Sequence, residues 1–244
     1  IRRARAECDV VGVSIYVNPL QFDDPRDLAA YPRDLERDLD LAESAGAGMF
    51  FAPADDEMRP ASTSVSVGGL SERWEGAARP GHFDGVATVV TRLFSLTGPC
   101  YAYFGEKDFQ QLVIVRRLVE DLGLPVEVVG CSTVRQVDGL ALSSRNERLS
   151  AGEREAASRL YWALLAGKRA VEIDEETDPQ VVAKVMSEVV NAEPQLDLEY
   201  AVAVEPRTLE VPERLSGESR LLVAARLGPI RLIDNLPTTV PEAA

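Results

Sequence analysis

Apolar residues along the chain follow two recurring patterns. Short and nearly continuous apolar segments, rich in β-branched and aromatic residues, predict strands covered on both faces; these segments are residues 9–17, 47–53, 100–104 and 125–131. Between them, apolar residues recur at helical spacing and predict helices over residues 83–96 and 109–122. Strands that alternate with helices predict an α/β fold: a parallel sheet with helices on both faces, joined by right-handed crossovers.

Two weaker elements complete the first half. Pro32 is suited to the first turn of a helix that runs to about Ala45, with Gly46 just beyond its end. The alternating segment "TSVSV", residues 63–67, predicts a short exposed strand.

The pattern changes after Arg145. Ser150 and Glu153 form a capping box that predicts a helix to about residue 165, and a second helix is expected over residues 179–190. Three apolar segments follow, and we expect strands joined by turns at "LDLEYAVAV", "RLLVAARL" and "PIRLID". The sequence therefore predicts a parallel-sheet domain over residues 1–135 and a smaller α+β domain over residues 136–244.

Polar segments follow the predicted strands. Ligands of parallel sheets bind beyond the carboxyl ends of the strands, so "NPLQF", "GEKD" and "LSSRN" are expected to converge on one cleft. Gly105 is expected to allow a tight turn. Lys107 would then lie at a helix N-terminus, where backbone amides and the helix dipole favour phosphate.

Charge and composition narrow the function. A formal net charge of −14 argues against a nucleic-acid or anionic-membrane surface, so an anionic substrate would depend on a few local cations. His82 is the only histidine, which excludes a multi-histidine metal site in this chain. Three cysteines without metal-ligand spacing, and no apolar run near the ~18 residues that span a bilayer, favour a cytoplasmic protein with reduced thiols.

Five motifs occur in one order: "NPLQF", "RPGHFDGVATVV", "YFGEKDFQQL", "DGLALSSRN" and "RLIDN". Together they resemble the pantothenate synthetase family of the nucleotidylyl-transferase superfamily, from Ile1 to about Asn235. The resemblance implies that the first domain is Rossmann-like and binds nucleotide and pantoate, that the second domain is a lid, and that the protein is a cytoplasmic homodimer. It also implies an ATP- and Mg²⁺-dependent ligase that joins pantoate to β-alanine through a pantoyl adenylate and releases pyrophosphate and AMP.

The resemblance also assigns residues. It implies catalytic roles for Lys107, Arg145 and His82, contacts of Gln21 with pantoate and β-alanine, and a contact of Gln111 with pantoate. Asn18 and Arg79 are further candidates. The residues expected to bind ATP are Gly105, Glu106, Lys107, Asp108, Val134, Leu142, Ser143, Ser144 and Arg145.

The first residues, "IRRARAEC", place Arg2, Arg3 and Arg5 where the last turn of a helix favours cations. We therefore expect the chain to begin inside a helix, with the H-x-G-H segment of the family upstream of Ile1 and needed for turnover. Two alternatives stay open. One is a nucleotidyltransferase that releases pyrophosphate without ligation, and the other is a non-catalytic nucleotide-binding or regulatory derivative of the ligase.

Overall fold

The computed structural model describes residues 1–22, 28–29, 31–58, 60 and 62–241. The chain forms two compact units, and the division passes through the segment that carries Lys107. The first unit comprises Ile1–Phe104 and Ile114–Cys131, and the second comprises Gly105–Val113 and Ser132–Ala244.

The helices and strands up to Cys131 are, in chain order, α1 Arg2–Glu7, β1 Gly12–Ser14, α2 Leu35–Ser44, β2 Met49–Phe51, α3 Asp55–Met58, α4 Trp74–Ala78, α5 His82–Thr97, β3 Cys100–Gly105, α6 Phe109–Asp121 and β4 Val126–Cys131. One-turn 3₁₀ helices cover Pro19–Gln21, Leu70–Glu72 and Glu106–Asp108. β1 pairs with β2 in parallel, and β3 pairs with β4. The predicted α/β class with parallel strands is confirmed.

The predicted helices over residues 83–96 and 109–122 are confirmed within one residue at each end, as α5 and α6. The first residues form the helix α1, and of the three arginines expected in its last turn only Arg5 lies there. None of the helices in the described part of the chain has the length and apolarity that a bilayer crossing requires.

Four details of the prediction are wrong. Pro32 lies before its helix, because the Asp34 side chain caps α2 by accepting a bond from Arg37 N at 3.1 Å. The segment 63–67 is not a strand, since Val65 N donates to the Thr88 hydroxyl at 2.9 Å instead of to a neighbouring strand. Only three residues of 9–17 form a strand, because the ladder with β2 has only three residue pairs. β2 is open to solvent, with Met49 58% exposed.

The second unit contains α7 Ala151–Glu172, α8 Pro179–Asn191, β5 Leu196–Val204, β6 Glu218–Leu227 and β7 Ile230–Thr239, with a 3₁₀ helix at Ser144–Arg148. The three strands form an antiparallel sheet in the order β5-β6-β7. Its core lies between this sheet and the two helices, and the fully buried Leu164, Met186 and Leu221 represent it. The capping box at Ser150 and Glu153 is confirmed, although α7 extends seven residues beyond the predicted residue 165.

Close packing in the first unit places the turn that carries Gln21. The buried Asn18 side chain accepts a bond from Leu20 N at 3.0 Å and donates one to Gly85 O at 3.1 Å. α5 therefore approaches the turn so closely that a Cβ added at Gly85 would lie 2.5 Å from Leu20 O.

We expect Gly85→Ala to lower the free energy of unfolding by about 1–3 kcal/mol, because the added methyl group meets backbone that cannot rotate away. Gly152→Ala is the control: this helical glycine has open space around it, so alanine should be neutral or stabilising by up to about 1 kcal/mol. Urea titration of both variants measures the difference. Equal stabilities would contradict the close approach.

Candidate active site

The residues that the sequence nominates lie in two groups, one in each unit. The first unit carries Asn18, Gln21, Arg79 and His82. The second unit carries the turn at Glu106–Asp108, the start of α6, and the segment from Val134 to Arg145.

In the first group, the Arg79 and His82 side chains contact the backbone oxygen of Gln21. Arg79 Nη2 donates to Gln21 O at 2.6 Å, and His82 Nδ1 lies 2.8 Å from the same oxygen. A carbonyl oxygen only accepts hydrogen bonds, so Nδ1 carries the proton, and in the neutral ring Nε2 accepts from Arg79 Nη1 at 3.3 Å. This arrangement fixes the orientation of the Gln21 residue. Asn18 supports the same turn from the other side through its bond to Gly85 O.

In the second group, Lys107 lies where the sequence places it. The turn Glu106–Asp108 leads directly into α6, so its side chains precede the N-terminus of a 13-residue helix. Lys107 Nζ donates to Asp108 Oδ1 at 3.1 Å, and the two side chains are 21% and 50% exposed. A pair this exposed contributes at most about 1 kcal/mol, so a phosphate oxygen can replace the Asp108 carboxylate.

Gly105 does not perform the expected turn. Its φ of −71° and ψ of 132° are extended backbone that most residues adopt, so the expectation of a conformational need for glycine is wrong. Gly105 is exposed, and a Cβ built on it would meet nothing within 4 Å. The glycine therefore leaves open space beside the backbone of the turn, where a ligand can approach closely.

The segment with Val134, Leu142 and the two serines begins as a short hairpin. Leu142 N donates to Val134 O at 2.9 Å, and Arg135 bridges Ala141. Ser143 then caps the 3₁₀ helix Ser144–Arg148 by accepting a bond from Arg145 N at 3.3 Å. The Val134 and Leu142 side chains are 65% and 50% exposed, which leaves apolar surface available to a ligand.

Arg135 anchors this hairpin, and sequence reasoning missed it. Its guanidinium makes two bonds to the Asp234 carboxylate, at 2.6 and 2.9 Å, and donates to Gly139 O at 3.0 Å. The same group lies 4.3 Å from the centre of the Tyr161 ring. Gly139 has φ of +87°, and a Cβ there would lie 2.1 Å from that ring, so this turn requires glycine.

A second missed network holds the turn with Lys107. The buried Arg220 guanidinium donates to Asn235 Oδ1 at 2.8 Å and to Glu106 Oε2 at 3.1 Å, and it lies 4.0 Å from the centre of the Phe109 ring. Burial lowers the pKa of Arg220 from its usual value, while the Glu106 carboxylate opposes that shift. Two features of the sequence could have revealed this network: an arginine directly before the apolar run "LLVAA", and the polar pair at the end of "RLIDN".

Gln111 occupies the first turn of α6 and is partly buried, next to the buried Gln110. Within the described part of the chain, no three His, Cys, Asp or Glu side chains are grouped so that they could hold a metal ion.

Comparison with known proteins decides the family. The family model described as pantoate-beta-alanine ligase matches residues 1–237. The chain belongs to the pantoate–β-alanine ligase family. The resemblance of the five motifs is thereby confirmed.

Similar members of this ligase family support the assignment. A protein of Deinococcus radiodurans named pantothenate synthetase is 52% identical, over 100% of this chain and 90% of its own length. One of Heliobacterium modesticaldum is 49% identical, over 98% and 86%.

Solved structures of the ligase family have the same fold. Pantothenate synthetase from Thermus thermophilus aligns with a TM-score of 0.91 at 50% identity, over 96% of this chain and 86% of that chain. Pantoate-beta-alanine ligase from Francisella tularensis, complexed with beta-gamma ATP and beta-alanine, aligns with a TM-score of 0.76 at 31% identity, over 96% and 82%.

We expect Arg135→Lys to lower the free energy of unfolding by about 1–3 kcal/mol, because lysine cannot reproduce the bidentate bonds to buried Asp234 or the stacking on Tyr161. Arg226→Lys is the matched control. Arg226 pairs with Glu199 at 2.7 Å with its side chain 49% exposed, so its loss should cost less than about 1 kcal/mol. Denaturant unfolding compares the two variants, and equal costs would argue against the anchoring role.

Proposed function

We propose that this chain is an ATP-dependent ligase that condenses pantoate with β-alanine to pantothenate and releases AMP and pyrophosphate. The family match over residues 1–237 supports this reaction, and so does the relative that was solved with beta-gamma ATP and beta-alanine. The observation in the structure that carries the proposal is Lys107, partly exposed on a turn that leads directly into α6.

In the first step, a pantoate carboxylate oxygen attacks the α-phosphorus of ATP. An oxygen–phosphorus bond forms, the bond to the leaving pyrophosphate breaks, and negative charge develops on the phosphate oxygens. Preorganised cations and donors that face this charge lower the barrier. We assign this role to Lys107 and Arg145, with Ser143 and Ser144 as hydroxyl donors and the α6 N-terminus as the dipole behind them.

ATP would lie along the remaining nominated residues. The open side of Gly105 admits the nucleotide next to the backbone, and the exposed Val134 and Leu142 offer apolar contact. Glu106 positions the turn through its bond with Arg220. Asp108 pairs with Lys107 until a phosphate oxygen replaces its carboxylate. Mg²⁺ enters as part of the substrate MgATP, because this ion keeps several waters and binds chiefly through phosphate oxygens.

In the second step, the β-alanine amine attacks the acyl carbon of pantoyl adenylate. The amide bond forms, AMP leaves with the oxygen that it received from pantoate, and the amine loses a proton. The acyl group is already activated, so positioning and water exclusion supply most of the acceleration. We assign Gln21 to pantoate and β-alanine and Gln111 to pantoate, because an amide both donates and accepts. His82 and Arg79 serve by holding Gln21.

The ligase reading is favoured over the two alternatives, a nucleotidyltransferase without ligation and a non-catalytic derivative. The relatives named pantothenate synthetase match this chain over 90% and 86% of their own length. We also propose a cytoplasmic location and a homodimer, on the family resemblance and on three cysteines that form no disulfide.

We expect Lys107→Ala to slow pantoate-dependent ATP–pyrophosphate exchange in the full-length protein by about 10²-fold or more, because one preorganised cation is lost. Thermal stability should change little, since the pair that the partly exposed side chain forms with Asp108 is a weak one. Lys184→Ala on the exposed face of α8 is the control and should leave exchange unchanged. Exchange at the normal rate in Lys107→Ala would rule out the assigned role.

Substitution of either glutamine should affect pantoate recognition much more than ATP recognition. Gln21→Ala and Gln111→Ala are expected to weaken pantoate use by about 1–3 kcal/mol per lost contact, because polar groups of the substrate lose their partners. ATP affinity measured by calorimetry should change much less. Gln180→Ala, exposed at the start of α8, is the control. A fall in ATP affinity equal to the loss of pantoate use would contradict this division.

A further inference from the structure

Asn235 joins the sheet of the second unit to the turn that carries Lys107. Its Nδ2 donates to Glu106 O at 3.0 Å and to Lys107 O at 2.9 Å. Both protons of the amide are thereby used on two consecutive carbonyl groups. Asn235 is 3% exposed and lies on β7 opposite Leu222 of β6, so its backbone is fixed by the sheet.

Arg220 fixes the amide of Asn235 from the other side. Its Nε donates to Asn235 Oδ1 at 2.8 Å, which determines which end of the amide faces the turn. The same guanidinium binds the Glu106 carboxylate and stacks on Phe109, the first residue of α6. The turn is therefore held at its backbone by Asn235, and at its carboxylate and following ring by Arg220.

The side chains of Asn235 and Arg220 are both buried. Asn235 and Arg220 are buried at 3% and 6% exposure, whereas the Lys107 side chain is 21% exposed. The partners of Asn235 are carbonyl groups on the turn and a guanidinium on β6. This geometry acts on the position of the Lys107 backbone and leaves its ammonium group available.

We propose that Asn235 is a positioning residue for adenylation, which holds the Lys107 ammonium at the place where charge develops on the phosphates. For its effect on rate, this inference rests on the proposed ligase function. A displacement of about 1 Å in a catalytic group can cost roughly 10²-fold in rate. Loss of the two bonds should therefore lower kcat more than it raises KM for ATP, because the buried amide of Asn235 is engaged with the turn and with Arg220.

The test uses Asn235→Asp in the full-length protein. The aspartate keeps the shape and the oxygen that Arg220 binds, but it removes both donors and turns an oxygen toward two carbonyl groups. We expect kcat of ATP–pyrophosphate exchange to fall by about 10- to 10²-fold, with less than about threefold change in KM for ATP. Hydrogen exchange should become faster at residues 106–112. Asn235→Ala, which deletes the two bonds to the turn together with the oxygen that Arg220 binds, should show the same two effects.

Thr238→Val is the matched control. Thr238 lies on the same strand, is 1% exposed and donates to Glu172 Oε1 at 3.2 Å, so its loss also removes a buried bond of β7. The variant should leave two quantities unchanged: hydrogen exchange at residues 106–112, and kcat of ATP–pyrophosphate exchange. A general loosening of β7 would instead produce the same changes in all three variants and would overturn the proposal.

A double-mutant cycle with Lys107→Ala asks whether Asn235 acts through Lys107. In the Lys107→Ala background, Asn235→Asp should lower the residual rate by less than about threefold. A full additive loss, or unchanged hydrogen exchange at residues 106–112 in both Asn235 variants, would overturn the positioning role. Absence of AMP formation by the unsubstituted protein would contradict the ligase function, while the hydrogen-exchange comparison would still decide the role of Asn235.

Discussion

The buried contact of Arg220 with Asn235 is the constraint on which the position of the turn with Lys107 depends. A guanidinium removed from water must be fully bonded, and here it is paired with Glu106, Asn235 and the face of Phe109. These partners belong to the sheet and to the start of α6. Burial lowers the pKa of Arg220, and the bonds that the buried guanidinium makes fix the turn with Lys107 to the sheet.

The neighbouring residue of β7, Asp234, supports the other segment that we assign to ATP. Asp234 binds Arg135, and Arg135 holds the hairpin of residues 134–142 through Gly139 O and the Tyr161 ring. Two consecutive residues of one strand thus support both segments that we assign to ATP. In a chain with a net charge of −14 the overall field opposes an anionic substrate, so the cations that we assign to phosphate have to be held accurately.

Periodicity predicted the helices whose apolar residues recur at helical spacing. α5 and α6 were placed within one residue at each end, because their apolar spacing and terminal residues agree. The exposure of β2 could not be read from its apolar residues, since burial depends on which elements cover a strand. Lys107 was found from its place between a strand and a helix, whereas Asn235 was missed because its partners are backbone carbonyls about 130 residues away. The polar pair at the end of "RLIDN" marks the position, but residue spacing does not show which distant groups it binds.

In the proposed reaction, a carboxylate oxygen of pantoate attacks the α-phosphorus of ATP. Pantoate labelled with ¹⁸O in its carboxylate tests this step directly in the complete reaction with β-alanine and MgATP. AMP should carry one ¹⁸O, because the acyl–oxygen bond breaks when the amine attacks. AMP without the label, or label in inorganic phosphate with ADP as the nucleotide product, would contradict it.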